Sequence, residues 1–540
     1  MTNSNFILGV NRGHNGAVCL IRDGALDTAI EVERLERIRY ANGNYVQHAI
    51  DYCLRNAGIS EQDLDLIVTN SAYCSYPQDK KNIFVSHHLA HAYGAYALSD
   101  FEDAAIIIAD GSGNKFADVL EKEKIGITAQ QDDEEAESYY YGHDGKVEPV
   151  KKRFCSWDKT PGMLSYEVKS SHRFPSLGHT YSLVSDYIFG NWVHAGKTMA
   201  LAAFGKNVHS GHIVTKGMNG ELNIDQAFMN SFKTPWNIQY DFQECANLAS
   251  YVQKEYEEAL IHQANWLYQT TKSKNLCISG GCGLNIVANA RVLEETPFEN
   301  VFVMFAPGDN GVAIGAAYYG LNTFFGGKRK GLVTPYLGRE YSNSEILNVI
   351  ANRRDISFEI FPDICKVTAE LIAAGRVIGW FQGKSEFGPR ALGNRSILAD
   401  PRRAYMVDYL NKQVKHREWF RPYSPAVLSD RAVEFFDLPA DSPYMSFVGG
   451  VRTDKKNDIP AAVHKDGTAR IQTVNQTLNP RFYKLIKEFE KLTSIPLVLN
   501  TSFNDKGDPI SETPADALRC FLGTKIDYLI MGDCVIKKNV

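Results

Sequence analysis

Apolar runs and polar turns alternate along the chain in two successive series. Residues 6–10 and 17–21 are apolar runs separated by Asn11-Arg12-Gly13-His14-Asn15-Gly16, which predicts a hairpin. A helix is predicted over 45–57 and a short strand over 66–69. Ser86 is placed to cap a helix over 87–98. The apolar run 105–109 reads as a buried strand ending in the tight turn Asp110-Gly111-Ser112-Gly113. The stretch 121–152 is polar, and the acidic run 132–137 within it reads as a solvated loop. Helical spacing returns over 251–270. A strand over 275–279 enters Gly280-Gly281-Cys282-Gly283-Leu284-Asn285, and a helix follows to about residue 294. A strand over 301–305 leads through Pro307-Gly308-Asp309-Asn310-Gly311 into a small-residue helix over 312–320.

Regularity drops between about 326 and 355, where the pattern places a linker. The second series begins with a helix over 365–374 and a strand over 376–381, followed by a long loop over 382–396. Next come a helix over 402–413, an apolar run over 424–428, and a helix over 480–492 that has Pro480 in its first turn, where a missing N–H costs nothing. A strand over 496–499 ends in Asn500-Thr501-Ser502-Phe503-Asn504, and segments 513–522 and 527–531 close the chain. The expected class is α/β in two domains, 1–340 and 341–540.

Length supports that division, since 540 residues exceed one ordinary hydrophobic core. The net charge of -5 gives no general attraction for nucleic acid or an anionic membrane, so an anion site has to be built locally. The first residues show no basic stretch before a long apolar run, and no stretch has the length of a spanning helix, so a cytoplasmic protein is expected. Ten scattered cysteines without a Cys-x-x-Cys pair fit reduced thiols.

Three groups of residues carry candidate chemistry. His87 and His91, four apart on a predicted helix, present two imidazoles on one face, whereas His88 points elsewhere. Asp110 and Asp309 each follow a buried strand in a glycine turn, and side chains at strand ends converge in open α/β sheets. Two histidines and two aspartates suit iron(II), manganese or zinc, a choice the residues leave open, and leave positions for water or a phosphate oxygen. The alternative for either aspartate is a turn-stabilising side chain. Glycine turns around Gly13, Gly111 and Gly280 follow apolar strands and suit close backbone approach to phosphates, although none matches a P-loop. Their arrangement resembles the nucleotide loops of the actin and sugar-kinase superfamily. In the second series, Lys384, Arg390 and Arg395 lie in one loop, Lys415-His416-Arg417-Glu418-Trp419-Phe420-Arg421-Pro422 in another, and Asn500 to Asn504 in a third. Arginine forks, hydroxyls and amides suit an anion cage, and solvated surface charge is the alternative.

The motifs VSHHLAHA, IIIADGSG, AGKTMALAAFG, SGGCGLN, APGDNGVAIGAA, EFGPRALGNRSILADPR, REWFRPYSPAVL and LVLNTSFN together resemble the NodU/CmcH carbamoyltransferase family, over nearly the whole chain. The resemblance implies an actin-like (sugar-kinase superfamily), TsaD-like first lobe and a YrdC-like α/β second domain. It implies ATP-dependent O-carbamoyl transfer: carbamoyl phosphate and ATP give carbamoyl adenylate, and the carbamoyl group passes to a hydroxyl of a small-molecule natural product such as an antibiotic. By motif position, His87, His91, Asp110 and Asp309 match the metal ligands. His14 matches the residue acting on the acceptor hydroxyl. Arg390, Lys415, Arg421, Asn500 and Ser502 match the carbamoyl-phosphate and adenylation site, and Gly111, Gly280, Gly281, Asn285 and Asn310 fall where nucleotide is held. The expected partners are ATP with Mg, carbamoyl phosphate and a hydroxylated acceptor, with a homodimer as an option. The acceptor-facing residues are expected around Arg34, Arg37 and Tyr40. A threonylcarbamoyl-type tRNA-modifying enzyme and a non-catalytic nucleotide sensor are the alternatives, and the acidic balance speaks against tRNA binding.

Overall fold

Two five-stranded sheets with the same topology form the first part of the structure. In spatial order the first sheet is Ala25–Glu31, Ala17–Arg22, Phe6–Asn11, Leu66–Asn70 and Asn82–Phe84. The second is Lys146–Cys155, Glu134–His143, Asp103–Ala109, Asn275–Ser279 and Asn300–Val303. Numbered along the chain, the strands of each sheet run 3-2-1-4-5. In both, the first strand pairs antiparallel with the second and parallel with the fourth, and the fourth is parallel to the fifth. This repeated plan agrees with the duplicated, actin-like first lobe that the family resemblance implies. The computed structural model describes residues 5–70, 81–124, 129–155, 176–206, 208–225, 228, 238 and 241–539. Within it the chain divides into Met1–Asp27 with Asn42–Val333, and Thr28–Ala41 with Thr334–Val540, so a segment inside the expected 1–340 range groups with the later part.

The hairpin 6–21 forms as anticipated, with Val10 opposite Val18. The helix His87–Leu98 has the predicted limits, and almost every residue on it is buried. It is therefore a core helix rather than an amphipathic surface one. It lies against Val312–Phe325 at van der Waals range because both helices carry glycine there. A Cβ on Gly315 would sit 1.7 Å from the Ala90 carbonyl oxygen, and one on Gly94 would sit 3.3 Å from the Gly315 Cα. This close approach brings the start of Val312–Phe325, and with it Asp309, toward the histidines.

The acidic run 132–137 is not a solvated loop. Glu134–His143 is a full strand of the second sheet, and the side chains of Glu135 and Glu137 are buried. They are matched by Lys152 and Arg153 on the neighbouring strand Lys146–Cys155. Carboxylates at this depth persist only when paired, and charge counted along one segment does not show a partner that sits across a hairpin.

The second unit is an α/β body around one eight-stranded sheet. Its order is Ile356–Ile360, Cys534–Lys538, Tyr528–Met531, Ile378–Phe381, Arg395–Ala399, Leu497–Ser502, Ser424–Leu428 and Gln472–Val474. Helices Ile364–Ala373, Pro480–Thr493 and Pro514–Gly523 contribute to its core, which includes Trp380, Phe482 and Phe489. Asn479 caps Pro480–Thr493 by accepting the Phe482 N–H at 3.0 Å. The helix expected over 402–413 is shorter: Met406–Tyr409 widens into a looser turn, Leu410–Val414. The Lys415 N–H then closes on the Leu410 carbonyl at 2.8 Å. Such widened turns re-aim the side chain that follows. Among the described residues no helix is long and apolar enough to cross a membrane.

Candidate active site

His87, His91, Asp110 and Asp309 meet in the first unit, and one ligand atom from each lies within 4.8 Å of the others. Asp110 Oδ2 is 3.4 Å from His87 Nε2 and 3.3 Å from His91 Nε2. Asp309 Oδ1 is 3.6 Å and 3.7 Å from the same two nitrogens. Ligands about 2.1 Å from a shared cation stand roughly 3 to 3.5 Å apart, so the spacing is that of a coordination shell.

The second partner of each imidazole supports the same conclusion. The amide of Asn70 is oriented by its Nδ2, which donates to the Val85 carbonyl at 2.7 Å, so its Oδ1 accepts from His87 Nδ1 at 3.0 Å. Ser279 donates its hydroxyl to the Pro307 carbonyl at 3.1 Å, so its Oγ accepts from His91 Nδ1 at 3.2 Å. Both Nδ1 atoms are thereby protonated, and in the neutral rings both Nε2 atoms carry lone pairs toward the carboxylates. His91 Nε2 is buried and faces only carboxylate oxygens among the described residues, those of Asp110 and Asp309. Four acceptors facing one point call for a positive charge. In the protein alone a proton supplies it: burial pushes the His87 imidazole down, but Asp309 and Asp110 outweigh burial and raise it to about 10. Burial pushes the Asp110 carboxyl up, yet the hydrogen bonds from His87 and His91 hold it well below its ordinary range. The donor set fits a divalent cation in place of that proton.

The turns aim these groups. Asp110 ends the central strand Asp103–Ala109, and its Oδ1 accepts the N–H groups of Gly111 at 2.7 Å and Gly281 at 3.0 Å. Gly280 makes that approach possible with φ 90°, at a place where a Cβ would lie 2.2 Å from the Ala109 carbonyl oxygen. Asp309 is fixed through its backbone, whose carbonyl accepts from Asn11 Nδ2 at 2.9 Å. The same Nδ2 also donates to the His14 carbonyl at 2.9 Å. His14 Nδ1 lies 3.9 Å from Asp309 Oδ2. The half-exposed Trp192 packs on the His14 ring with centroids 5.2 Å apart. His88 faces away, toward Ser138 Oγ at 2.8 Å, as its helical position predicts.

The residues expected to hold nucleotide share these strand ends. Besides the Gly111 and Gly281 amides held by Asp110, the Gly280 N–H is bound by the Pro307 carbonyl at 2.8 Å. The Asn285 side chain caps Ile286–Glu295 and exchanges hydrogen bonds with Gln253, while Asn310 Oδ1 accepts the Gly311 N–H. These residues shape the turns at the tetrad.

The second unit carries a different electrostatic feature. Arg390, half-buried, has no hydrogen-bond or ion-pair partner among the described residues. Burial lowers Arg390 to about 10. Burial, then Arg417, lowers Arg421 to about 10. Arg470 is lowered by burial and by the neighbouring Arg390, Arg421 and Arg417. The carboxylate facing this group is Glu418, 3.7 Å from Arg421. Clustered guanidinium groups with so little compensation are arranged for an anion. Ser424 Oγ accepts from Arg470 Nε at 2.7 Å, and Arg417 lies over the Tyr423 ring at 4.5 Å. Arg470 was missed in the sequence because it stands alone in a β-rich stretch, with no basic neighbour to draw attention to it.

Three other expected members have internal roles as well. Lys415 Nζ donates to the Ser502 carbonyl at 2.8 Å, the Asn504 carbonyl at 2.7 Å and the Ser502 and Asn504 side chains, and so secures the Asn500-to-Asn504 turn. Burial lowers Lys415 to about 7. Asn500 donates to the Ala391 carbonyl and to Gln472, and its buried Oδ1 has no hydrogen-bond partner among the described residues. Arg395 is fully buried against backbone carbonyls and does not join the cluster. Nor do Arg34 and Arg37 form an acceptor surface. Arg34 is buried, donating to the Gly388 carbonyl at 2.7 Å, and Arg37 donates to the carbonyls of Pro509 and Ile510, both at 2.7 Å.

The family described as Carbamoyltransferase N-terminus matches residues 6–75 and 71–318, and Carbamoyltransferase C-terminus matches 369–538. Nodulation protein NolNO of Sinorhizobium fredii is 33% identical, with 97% of this chain and 79% of that protein covered. Nodulation protein U of Rhizobium tropici is 29% identical over 99% of this chain and 96% of that protein. A crystal structure of HypF from T.kodakarensis gives a TM-score of 0.40 at 16% identity, covering 60% of this chain and 49% of that one.

Proposed function

The chain belongs to the carbamoyltransferase family, and from that premise we propose that it makes carbamoyl adenylate from carbamoyl phosphate and ATP, then transfers the carbamoyl group to a hydroxyl of a small molecule. The observation that carries the reading is the Arg390, Arg417, Arg421 and Arg470 cluster, positive charge gathered with one facing carboxylate among the described residues. Carbamoyl phosphate is an anion, and attack of water on it breaks the bond between the carbamoyl and phosphoryl groups and releases carbamate and phosphate. Carbamate oxygen then attacks the α-phosphorus of ATP, the bond to the β-phosphate breaks, and pyrophosphate leaves. Arg390, Arg421 and Arg470 bind the phosphate oxygens and stabilise charge that grows on them. Lys415 holds the Asn500-to-Asn504 turn in place, so that the Asn500 amide is presented from a fixed strand end.

In the first unit His87, His91, Asp110 and Asp309 would hold a divalent cation, iron(II) first, with manganese or zinc as alternatives. When bound, it supplies Lewis-acid polarisation of the group being transferred. His14 stands beside Asp309 and takes the acceptor's proton as its oxygen bonds to the carbamoyl carbon and AMP departs. The Asn70 and Ser279 contacts keep the two ligand imidazoles in one tautomer, so neither competes for that proton.

The test is to incubate the protein with carbamoyl phosphate, ATP and a panel of alcohols, following AMP, pyrophosphate and acceptor mass. One AMP per carbamoylated acceptor supports the reading. Carbamoylation without ATP, or ATP converted to ADP instead, overturns it.

A further inference from the structure

Behind the metal-ligand helix lies a buried ionic layer that the reaction does not use. Lys152, Glu123 and Glu135 have side chains with 0% exposure. The Lys152 ammonium is 2.6 Å from Glu123 Oε2 and also pairs with Glu135 Oε1. Removing such groups from water is costly, and two carboxylates against one ammonium are not neutralised by it. Further donors complete the layer. The Tyr140 hydroxyl donates to Glu123 Oε2 at 2.9 Å, and the Ser86 hydroxyl donates to Glu123 Oε1. The Asn114 N–H donates to Glu135 Oε2 at 2.9 Å, and His88 Nδ1 bonds Ser138 on the strand beside it.

Both carboxylates lead to the first turn of His87–Leu98. Ser86 is its N-terminal flanking residue, yet its hydroxyl is given to Glu123 instead of accepting a helix N–H. The exposed donor at that end is met from elsewhere: Asn114 Oδ1 accepts the His87 N–H at 2.7 Å. Asn114 is itself clasped to Glu135 from both sides, with the Glu135 N–H on the Asn114 carbonyl at 3.0 Å. An ordinary side-chain cap is local and tolerates fraying. This one is anchored to a hairpin strand through a charged core group.

We propose that Lys152 is a positioning residue for the metal site, holding Glu123 and Glu135 so that Ser86 and Asn114 fix the backbone of His87 relative to His91, Asp110 and Asp309. The inference rests on the tetrad binding a cation. Outer residues of this kind set how closely ligands match a preferred coordination geometry, and their loss weakens metal binding about 10- to 100-fold.

The test uses cobalt(II) with the chelator-treated full chain, reading affinity and the ligand-field absorption bands, with carbamoyl-phosphate-dependent ATP–pyrophosphate exchange as the control on the second unit. Lys152→Met and Glu135→Gln are expected to bind cobalt about 10- to 100-fold more weakly and with shifted bands, while exchange persists. Lys152→Arg, which keeps the charge, should recover affinity and bands. If Lys152→Met does not fold, Asn114→Ala decides, since it removes the acceptor of the His87 N–H and keeps the backbone bonds to Glu135. Wild-type affinity and bands in folded Lys152→Met, or in Asn114→Ala, would overturn the inference. Failure of the unaltered protein to take up cobalt would instead overturn the cation site on which it rests.

Discussion

Asp309→Asn removes one charge from the tetrad with almost no change of shape. The backbone contact from Asn11 to the carbonyl at 309 is untouched, so the turn Asp309–Gly311 and the helix after it are retained. What changes is Oδ1, which stands 3.6 and 3.7 Å from the two imidazole nitrogens. A carboxylate about 2.1 Å from a dication gains roughly 16 kcal/mol at an effective dielectric of about 20. If hydration lost by both partners offsets about four-fifths of that, ~3 kcal/mol remains, which is about 100-fold in affinity. Manganese titration of the chelator-treated protein, followed by calorimetry, measures that loss. Carbamoyl transfer should fall with it, and carbamoyl-phosphate-dependent ATP–pyrophosphate exchange should stay within about twofold, because the arginine cluster belongs to the other unit. Manganese affinity within about threefold of the unaltered protein would refute the coordination argument. Collapse of exchange with intact metal binding would refute the assignment of two separate sites.

Arg470→Met should raise the KM for carbamoyl phosphate by about tenfold or more in the exchange assay, as expected for loss of a charged hydrogen bond of roughly 1.5 to 3 kcal/mol. Its manganese affinity should be unchanged, and an unaltered KM would remove Arg470 from the anion site. The tetrad also predicts a pH dependence for the metal-free protein. His87 is raised from 6.5 to about 10, so its protonation stabilises the fold fully below about pH 6.5, and that contribution is lost as pH climbs toward 10. Thermal midpoints of the metal-free protein should therefore fall across that window, whereas a rise would contradict the direction of the shift. Manganese uptake near pH 7.5 should release about one proton or more, measured by calorimetry in buffers of different ionisation enthalpy.

The tetrad of His87, His91, Asp110 and Asp309 was legible in the sequence because each member announces itself locally. His87 and His91 share a helix face, and Asp110 and Asp309 stand where apolar runs stop at glycine turns. The actin-like first lobe came from the family resemblance and the arrangement of glycine turns, and its duplication shows in the strand pairings. What stayed hidden depends on pairings far apart in sequence. Glu135 and Glu137 looked solvated because Lys152 and Arg153 meet them only across a hairpin. Arg34 and Arg37 looked available for an acceptor because the backbone carbonyls that bind them, at Gly388 and at Pro509 and Ile510, are more than 300 positions away. Arg470 carries no motif, and only its neighbours in space reveal it. Ser86 was right as the flanking residue of the helix but wrong as its cap, since Glu123 takes its hydroxyl and Asn114 caps from another turn.

The most direct test of the central claim is anomalous diffraction from crystals of the manganese-loaded protein, recorded where manganese scatters anomalously. The account predicts one peak about 2.0 to 2.3 Å from His87 Nε2, His91 Nε2, Asp110 Oδ2 and Asp309 Oδ1. A peak elsewhere, or an empty tetrad in protein that binds manganese tightly in solution, would contradict it.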